Sequence, residues 1–337
     1  MLERLKTGLP RAWYSGAPWL ALLLPLSWLY GWLAARRRRR LAEIAYRATV
    51  PVVVVGNLTV GGTGKTPLTA ALARYLQEQG RRVVIVSRGY GGQSASYPLE
   101  VDSATPVEDC GDEALLLALQ VACPVVVDPV RSRAVLYAET RHLPDVILCD
   151  DGLQHYALAR DVEIAVVDGS RGFGNGRLLP AGPLREGLER LAEVDCLVVN
   201  GTATAPLPPS PVPSFTMQLK TIALRALASG QPVPLAVWCR QHGKGPFHAV
   251  AGTGNPQRFF ASLRALGFAI IEHAFADHQR YRPGQLDFAD GLPVLMTDKD
   301  AVKYLPHAGG RHWSVQVEVE LPAAFFGAIE ARLPAPI

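Results

Sequence analysis

No two of the five cysteines stand in a CxxC spacing; Cys110, Cys123, Cys149, Cys196 and Cys239 are scattered singly. An odd, unpaired set excludes a disulfide framework and a cysteine zinc site. It fits a reducing, cytosol-facing compartment in which these are small buried apolar residues. A large excess of one charge is missing too. With 34 basic against 30 acidic residues the net charge is +4, too little to argue for nucleic acid, and no nucleic-acid partner is expected. An internal repeat of any strength is absent as well. A composition that is 49% hydrophobic and 19% charged is globular, and 337 residues suffice for one large domain or two ordinary ones.

Charge is missing altogether from residue 12 to residue 35, "AWYSGAPWLALLLPLSWLYGWLAA". At a rise of about 1.5 Å per residue this run can cross, or nearly cross, a hydrocarbon core about 30 Å thick. Trp13, Tyr14 and Trp19 at one end and Trp28, Tyr30 and Trp32 at the other resemble interfacial belts. Pro18 and Pro25 are expected to kink the helix, which leaves a clean span and a tilted, partly inserted helix both open. Arg36 to Arg40 follow directly. Such a cluster holds its flank on the cytoplasmic side and attracts anionic lipid heads at about 1 kcal/mol per residue. A cleaved signal peptide is disfavoured, because the basic cluster lies after the apolar run and no A-x-A-like site separates the two.

From Val50 onward short apolar runs alternate with amphipathic stretches. "VPVVVVG" (50–56) is β-branched and unbroken, as a strand covered on both faces should be. "PLTAALARYLQEQG" (67–80) reads as a helix with Pro67 early and Gly80 as its stop. The alternation continues to "LREGLERLAEV" (184–194), expected as a helix, and "CLVVNG" (196–201), expected as a strand. It predicts an α/β fold with a doubly wound, mainly parallel sheet. A proline-dense linker, "APLPPSPVPS" (205–214), precedes two strand-like pieces, "SFTMQLKTIAL" and "VPLAVWC", that flank Gly230. A second, smaller α/β lobe runs from "FHAVAGTG" (247–254) to "WSVQVEVEL" (313–321).

Between the first strand and helix lies "GNLTVGGTGKT" (56–66). Strand, glycine-rich turn, Gly-Lys-Thr, helix is the order a phosphate-binding P-loop demands. Gly61, Gly62 and Gly64 free successive amides to cradle phosphate oxygens, together with Thr59, Val60 and Thr63. Lys65 is placed to reach the β- and γ-phosphates, and the Thr66 hydroxyl to ligate Mg²⁺. The motif departs from G-x-x-x-x-G-K-[ST] only where Thr59 replaces its first glycine, a position that shapes entry to the loop.

"VILCDDGLQH" (146–155) puts Asp150 and Asp151 at the end of an apolar strand, where either can hold Mg²⁺. Arg88 in "SRGYGG", and Arg131 or Arg133 in "DPVRSRAV", are candidate phosphate contacts. Asp112 and Glu113 open a helix in "CGDEALL", and plain helix-start carboxylates are the competing reading for both. "RGFGNGRLLPAGPLRE" (171–186) reads as a substrate lip carrying Asn175. "FADHQRY" (275–281) and "TDKDAVKY" (297–304) cluster charge in the second lobe.

Taken in order, "VGNLTVGGTGKTP", "SRGYGG", "GDEALLLA", "DDGLQH", "GFGNGRLLPAGPLRE", "AGTGNPQRFF", "DHQRY" and "TDKDAVK" resemble the tetraacyldisaccharide 4'-kinase family over nearly the whole chain. The resemblance implies a P-loop NTPase-like kinase with an N-terminal membrane helix. Its lobes would close over ATP and Mg²⁺ at the cytoplasmic face of a bacterial inner membrane. The acceptor would be the 4'-hydroxyl of a tetraacyl glucosamine disaccharide 1-phosphate, the lipid A precursor, and inner-membrane anionic lipids would be its other partners. No obligate protein partner is implied. By motif, Asp112 resembles the catalytic base, assisted by His278. Glu113, Asp150 and Asp151 resemble metal-site acids, and Gln154, His155 and Asn175 face the lipid sugar. The boundaries implied are an anchor at 1–40, a kinase core at 41–204, a hinge at 205–246 and a second lobe at 247–337. The family also carries a non-glycine residue at the Thr59 position. A competing class is the membrane-tethered partitioning or targeting ATPase, which phosphorylates nothing; it places a signature lysine where this chain has Val60.

Overall fold

The computed structural model describes residues 2–335, with side chains from residue 8 onward; the outermost residues of the anchor and of the second lobe lie outside them. Helices α1 (Leu2–Ser15) and α2 (Leu24–Glu43) flank a short 3-10 segment, Pro18–Leu23. There follow β1 (Val52–Gly56), α3 (Lys65–Glu78), β2 (Val83–Ser87), β3 (Leu99–Val101), α4 (Val107–Cys110), α5 (Asp112–Gln120), β4 (Val125–Val127), α6 (Arg131–His142), β5 (Val146–Asp150), β6 (Val162–Asp168) and β7 (Cys196–Asn200). The rest comprises β8 (Ser214–Ala226), β9 (Pro232–Pro234), α7 (Leu235–His242), β10 (Phe247–Ala251), α8 (Pro256–Ala265), β11 (Ile270–Ala274), β12 (Val294–Thr297), α9 (Asp298–Tyr304), β13 (His312–Glu320) and α10 (Ala323–Glu330).

One sheet runs through the molecule in the order β11-β10-β12-β13-β8-β7-β6-β1-β5-β2-β4-β3, with β9 paired to β8. Its central strands are parallel and buried on both faces, which is why they read as unbroken Val/Ile/Leu runs. Parallel register brings their carboxyl ends level: Val55 lies opposite Asp150, Gly56 opposite Ala165, and Asp168 opposite Asn200. In open sheets of this kind the crevice beyond those ends is where ligands bind.

Strand β8 joins the two halves. Its first residues pair in parallel with β7, from Ser214 to Met217, and its remainder pairs antiparallel with β13. The segment expected to be linker strands is therefore a 13-residue strand shared by both lobes.

Two local expectations fail. "VPLAVWC" is not a strand: only β9 is extended, and α7 follows at once. A helical turn puts Leu235, Trp238 and Cys239 on one face, with Trp238 fully buried against Phe247 and Phe268. The short apolar run suits either period, and this packing decides it. "LREGLERLAEV" is not an α-helix either, but a 3-10 stretch at Leu188–Ala192. Its start is pinned as extended chain, because Leu184 bridges Thr59 and the Arg185 amide donates to the Leu58 carbonyl at 2.7 Å.

The N-terminal run is likewise not one kinked helix. It breaks at Gly16, where φ is +68°, and Pro18 and Pro25 sit in first turns, where proline's missing N–H costs nothing. Pro18–Glu43 is the one helical stretch among the described residues long and apolar enough to cross a membrane. One face of it, together with the end of α1, docks on the first lobe. Leu20 is fully buried, the Trp13 indole donates to the Pro180 carbonyl at 2.9 Å, and the Ser27 hydroxyl donates to the Leu178 carbonyl at 2.8 Å. The opposite face leaves Leu22, Leu26, Leu29 and Leu33, with Trp19, Trp28 and Trp32, exposed. The leucine spacing of four, three and four is one stripe of a helix.

Candidate active site

The loop after β1 has the shape its glycines allow. Gly61 and Gly64 take φ of +101° and +95°, which side chains rarely tolerate, and the Asn57 side-chain amide donates to the Gly61 carbonyl at 3.1 Å. A Cβ on Gly64 would overlap the side-chain amide of Asn200. Thr59 needs no such freedom. It forms a bridge with Leu184, and the Val60 amide donates to the Pro183 carbonyl at 2.9 Å, so a β-branched residue fits its extended backbone.

Where α3 starts, the loop meets the end of β5. The Thr66 hydroxyl donates to Asp150 at 3.2 Å and the Thr69 hydroxyl to the same carboxylate at 3.0 Å. The Lys65 ammonium lies 3.6 Å from Asp151. Asp150 is fully buried, and that burial, with Glu113 nearby, pushes its carboxyl above the usual range. Burial acts on Asp151 in the same sense, but Lys65, Arg185 and Arg131 outweigh it and hold that carboxyl far below the usual range. A fully buried carboxylate met only by hydroxyls, beside one held by three cations, is a site with room for another positive charge.

The remaining candidates are not all brought here. Arg131 is buried, and its guanidinium donates to the carbonyls of Asp150 and Asp151 at 2.7 and 2.8 Å, supporting the turn from beneath. Arg133 is engaged elsewhere, its guanidinium donating to Asp128 at 2.7 and 2.8 Å from a half-exposed position. Arg88 is exposed at the end of β2. The Asn175 side chain closes its own loop by donating to the Ala181 carbonyl at 2.8 Å. Gln154 donates to the Asn57 carbonyl at 3.1 Å and accepts from Arg185 at 3.2 Å, which ties the loop after β5 to the P-loop. His155 has a buried, unpartnered Nε2; burial and four arginines push its ring down to about 3, so it is neutral.

Across the cleft the second lobe contributes His278 and Lys299. Gly111, at φ +83°, turns the chain so that Asp112 opens α5 with its carboxylate buried. His278 Nδ1 is 3.0 Å from Asp112 Oδ2. Burial works against charge on both groups of this contact, yet the hydrogen bond moves Asp112 below and His278 above its ordinary value. Lys299 Nζ stands 3.0 Å from Glu113, 3.1 Å from Asp277 and 3.4 Å from His278 Nε2. Tyr90 of "SRGYGG" lies against the imidazole, ring centres 4.7 Å apart. Sequence reasoning had singled out neither Lys299 nor Tyr90, nor Thr69 or Arg185. Lys299 did stand inside a quoted motif, "TDKDAVK", and that was its only signal.

A cavity of about 600 Å³ opens between the lobes, lined by the P-loop from Gly62 to Thr66 and by Glu113, Asn200, Arg258 and Lys299. A P-loop lysine and threonine facing an aspartate pair at the next strand end, in a cleft closed by a second lobe, define a nucleotide-dependent phosphoryl-transfer protein. The chain belongs to the tetraacyldisaccharide-1-P 4'-kinase family, whose sequence model matches residues 19–334. It is 48% identical over 320 residues to the tetraacyldisaccharide 4'-kinase of Stutzerimonas stutzeri, covering 94% of this chain and 93% of the relative. To that of Pseudomonas aeruginosa it is 44% identical over 325 residues, covering 96% of each. Its fold is similar to the crystal structure of the "apo" form of LpxK from Aquifex aeolicus in complex with ATP. There the TM-score is 0.77 and the identity 30%, covering 94% of this chain and 99% of that one.

Proposed function

We propose that this protein transfers the γ-phosphate of ATP to the 4'-hydroxyl of a tetraacyl glucosamine disaccharide 1-phosphate, giving the lipid A precursor lipid IVA. The observation that carries this reading is a convergence on one cleft. Lys65, Thr66 and Glu113 line it from the first lobe and Lys299 from the second, and the Asp112–His278 pair joins the two walls beside Glu113 and Lys299. An acceptor-free partitioning ATPase is not favoured, because the family and the relatives it includes are disaccharide kinases.

In the mechanism we infer, the amides of 61–66 and the Lys65 ammonium hold the triphosphate by preorganised charge. Thr66, Asp150 and Asp151, with Glu113 beside them, would hold Mg²⁺, which neutralises charge on the phosphate oxygens when bound. Among the described residues no cluster of three His, Cys, Asp or Glu is set to hold a metal alone. Mg²⁺ needs no such cluster, since one or two carboxylates plus substrate phosphates and water complete its shell. Asp112 orients the 4'-hydroxyl and takes its proton as the bond from that oxygen to the γ-phosphorus forms and the bond from the γ-phosphorus to the bridging oxygen breaks, releasing ADP. A carboxylate held below its usual range is a weak base, which a loose transition state tolerates because the proton leaves late. His278 Nδ1 holds Asp112, and Lys299 stands beside Nε2, so the contacts fix the carboxylate's direction. Since His278 and Lys299 belong to the second lobe, the site is complete only when the lobes meet. The boundaries we propose are an anchor at 1–40, a core at 41–204, a linking segment at 205–246 and a second lobe at 247–337.

The exposed leucine and tryptophan stripe of α2, continued by Arg36–Arg40, supports attachment to the cytoplasmic face of a bacterial inner membrane. With the other face docked on the first lobe, α2 lies along the protein and embeds one side. Transfer of labelled phosphate from ATP to the disaccharide in mixed micelles tests the reading. Loss of turnover in Lys65→Ala, Asp112→Ala and His278→Ala is expected, and unaltered turnover in all three overturns it.

A further inference from the structure

Beside the catalytic pair, a second contact joins the lobes, and it ends on the P-loop. Asn200, the last residue of β7, is buried, and its side-chain amide donates to the Thr63 carbonyl at 2.8 Å. The same amide nitrogen fills the space that a Cβ on Gly64 would need. Its oxygen faces the other way and accepts from the Arg258 guanidinium, which projects from the first turn of α8 in the second lobe. Arg258 also lies 3.9 Å from Asp168, whose carboxylate accepts from the Asn255 side chain at 2.9 Å. Next to them Gly254 packs on the backbone of Gly61 and Gly62 so closely that a Cβ there would overlap the Gly62 amide. Arg171 of the first lobe donates to the Gly254 carbonyl at 2.5 Å.

An amide has one acceptor end and one donor end. With its oxygen on a guanidinium and its nitrogen on a carbonyl, Asn200 has a single satisfied orientation, and that orientation requires the second lobe. Two of the loop's own residues, Thr63 and Gly64, are shaped by it. We infer that Arg258 and Asn200 are positioning residues, which couple the seating of the second lobe to the phosphate-gripping shape of the loop. The inference rests on the reading that this loop takes the triphosphate of ATP. Its content is that ATP affinity depends on a side chain of the second lobe through a carbonyl it never touches.

Calorimetric titration of ATP into the full-length protein in micelles tests this, with acceptor KM and Tm measured alongside. Arg258→Ala is expected to weaken ATP binding about 10-fold, the scale of a hydrogen bond to a charged group. Acceptor KM should stay unchanged and Tm should stay close to that of the parent. Arg258→Lys and millimolar guanidinium added to Arg258→Ala should each restore part of the affinity. Asn200→Asp keeps an oxygen for Arg258 but loses the donor to Thr63, so it should bind ATP as weakly as Asn200→Ala. The double variant Asn200→Ala/Arg258→Ala should be no worse than the poorer single one. Parent-like affinity in Arg258→Ala, or a loss that falls with Tm and that neither Lys nor guanidinium relieves, overturns the inference. Lys65→Ala separates the two levels. If it too binds ATP normally, the loop is not the nucleotide site and the broader reading fails. If it loses ATP while Arg258→Ala does not, only the present inference fails.

Discussion

His278 reaches Asp112 across 166 residues of sequence and from one lobe to the other, with Nδ1 3.0 Å from Oδ2. It does so from a backbone at φ +57°, a region that few non-glycine residues occupy. Holding a histidine there costs on the order of 1–3 kcal/mol, and such strain persists where the surroundings over-determine it. Asp112, Lys299 and Tyr90 all engage the ring and supply that determination.

The first prediction follows from separating ring from backbone. Asparagine tolerates the left-handed region, so His278→Asn removes the imidazole with little change in strain. Its kcat should fall by about 10²–10⁴, the range for a positioned acid–base group. Asp112→Asn should fall at least as far, while ATP affinity stays within a few-fold in both. Single-turnover transfer to the disaccharide, with ATP affinity measured separately, checks the split. A parent-like kcat in His278→Asn removes His278 from the chemistry.

Gly64 carries the second prediction. Alanine there meets an unfavourable φ of +95° and the Asn200 amide together. The neighbour cannot yield, because Asn200 is buried and bonded at both ends. Gly64→Ala should lose about 2 kcal/mol or more of stability in denaturant titration and should not bind ATP measurably. Gly80, where a Cβ meets nothing but φ is +79°, should lose less stability as alanine and keep ATP binding.

These residues divide by how far sequence could see them. The P-loop was legible because its order, strand, glycines, lysine, helix, is local and each residue's duty follows from its chemistry. Parallel strands were legible as unbroken apolar runs. What escaped depends on contacts between distant segments. Nothing within "LREGLERLAEV" announces that Leu184 and Arg185 pair with the backbone at Thr59 and Leu58. Nothing in "DPVRSRAV" separates Arg131 from Arg133; only the fold turns one beneath the aspartate pair and leaves the other on Asp128. Asp112 and His278 were associated only by family resemblance, since no spacing rule joins positions so far apart. Lys299 was one lysine in a charged motif until its burial among three carboxylates gave it a place.

A third prediction concerns pH and stability. Burial first, then the charges of Arg131, Arg160, Arg37 and Arg88, push His155 down to about 3. Its ordinary value is near 6.5, so between these limits the unfolded chain binds a proton that the folded chain refuses. Stability must then fall as pH drops below about 6.5, and the contribution is complete above it. At pH 5 the loss is on the order of 1–2 kcal/mol. His155→Gln cannot titrate, so its stability should decline less between pH 7 and 5 than that of the parent. Denaturant midpoints at the two values decide the matter; parallel declines would mean that the folded ring titrates normally.

The last prediction weighs the two faces of α2 against each other. Leu26, Leu29 and Leu33, with Leu22 just before the helix, face outward, and since the three helical leucines are already about half buried, burying the rest of each is worth about 1 kcal/mol. Ser27 and Tyr30 face inward, where the Ser27 hydroxyl also accepts from the Ala181 amide at 3.0 Å and the Tyr30 hydroxyl donates to the Arg185 carbonyl at 3.1 Å. Ser replacement of Leu26 and Leu29 should therefore release the protein from vesicles without lowering Tm. Ser27→Ala should do the reverse, because it leaves the Ala181 amide buried without an acceptor. Arg36–Arg40 add a surface attraction that salt screens, so binding to phosphatidylglycerol vesicles should weaken as ionic strength rises and binding to phosphatidylcholine vesicles should not. Flotation of each variant on both vesicle types reads these effects apart. A helix that crosses the bilayer would have to leave its docked face, so Ser27→Ala would then strengthen vesicle binding, and that result would overturn the embedded geometry.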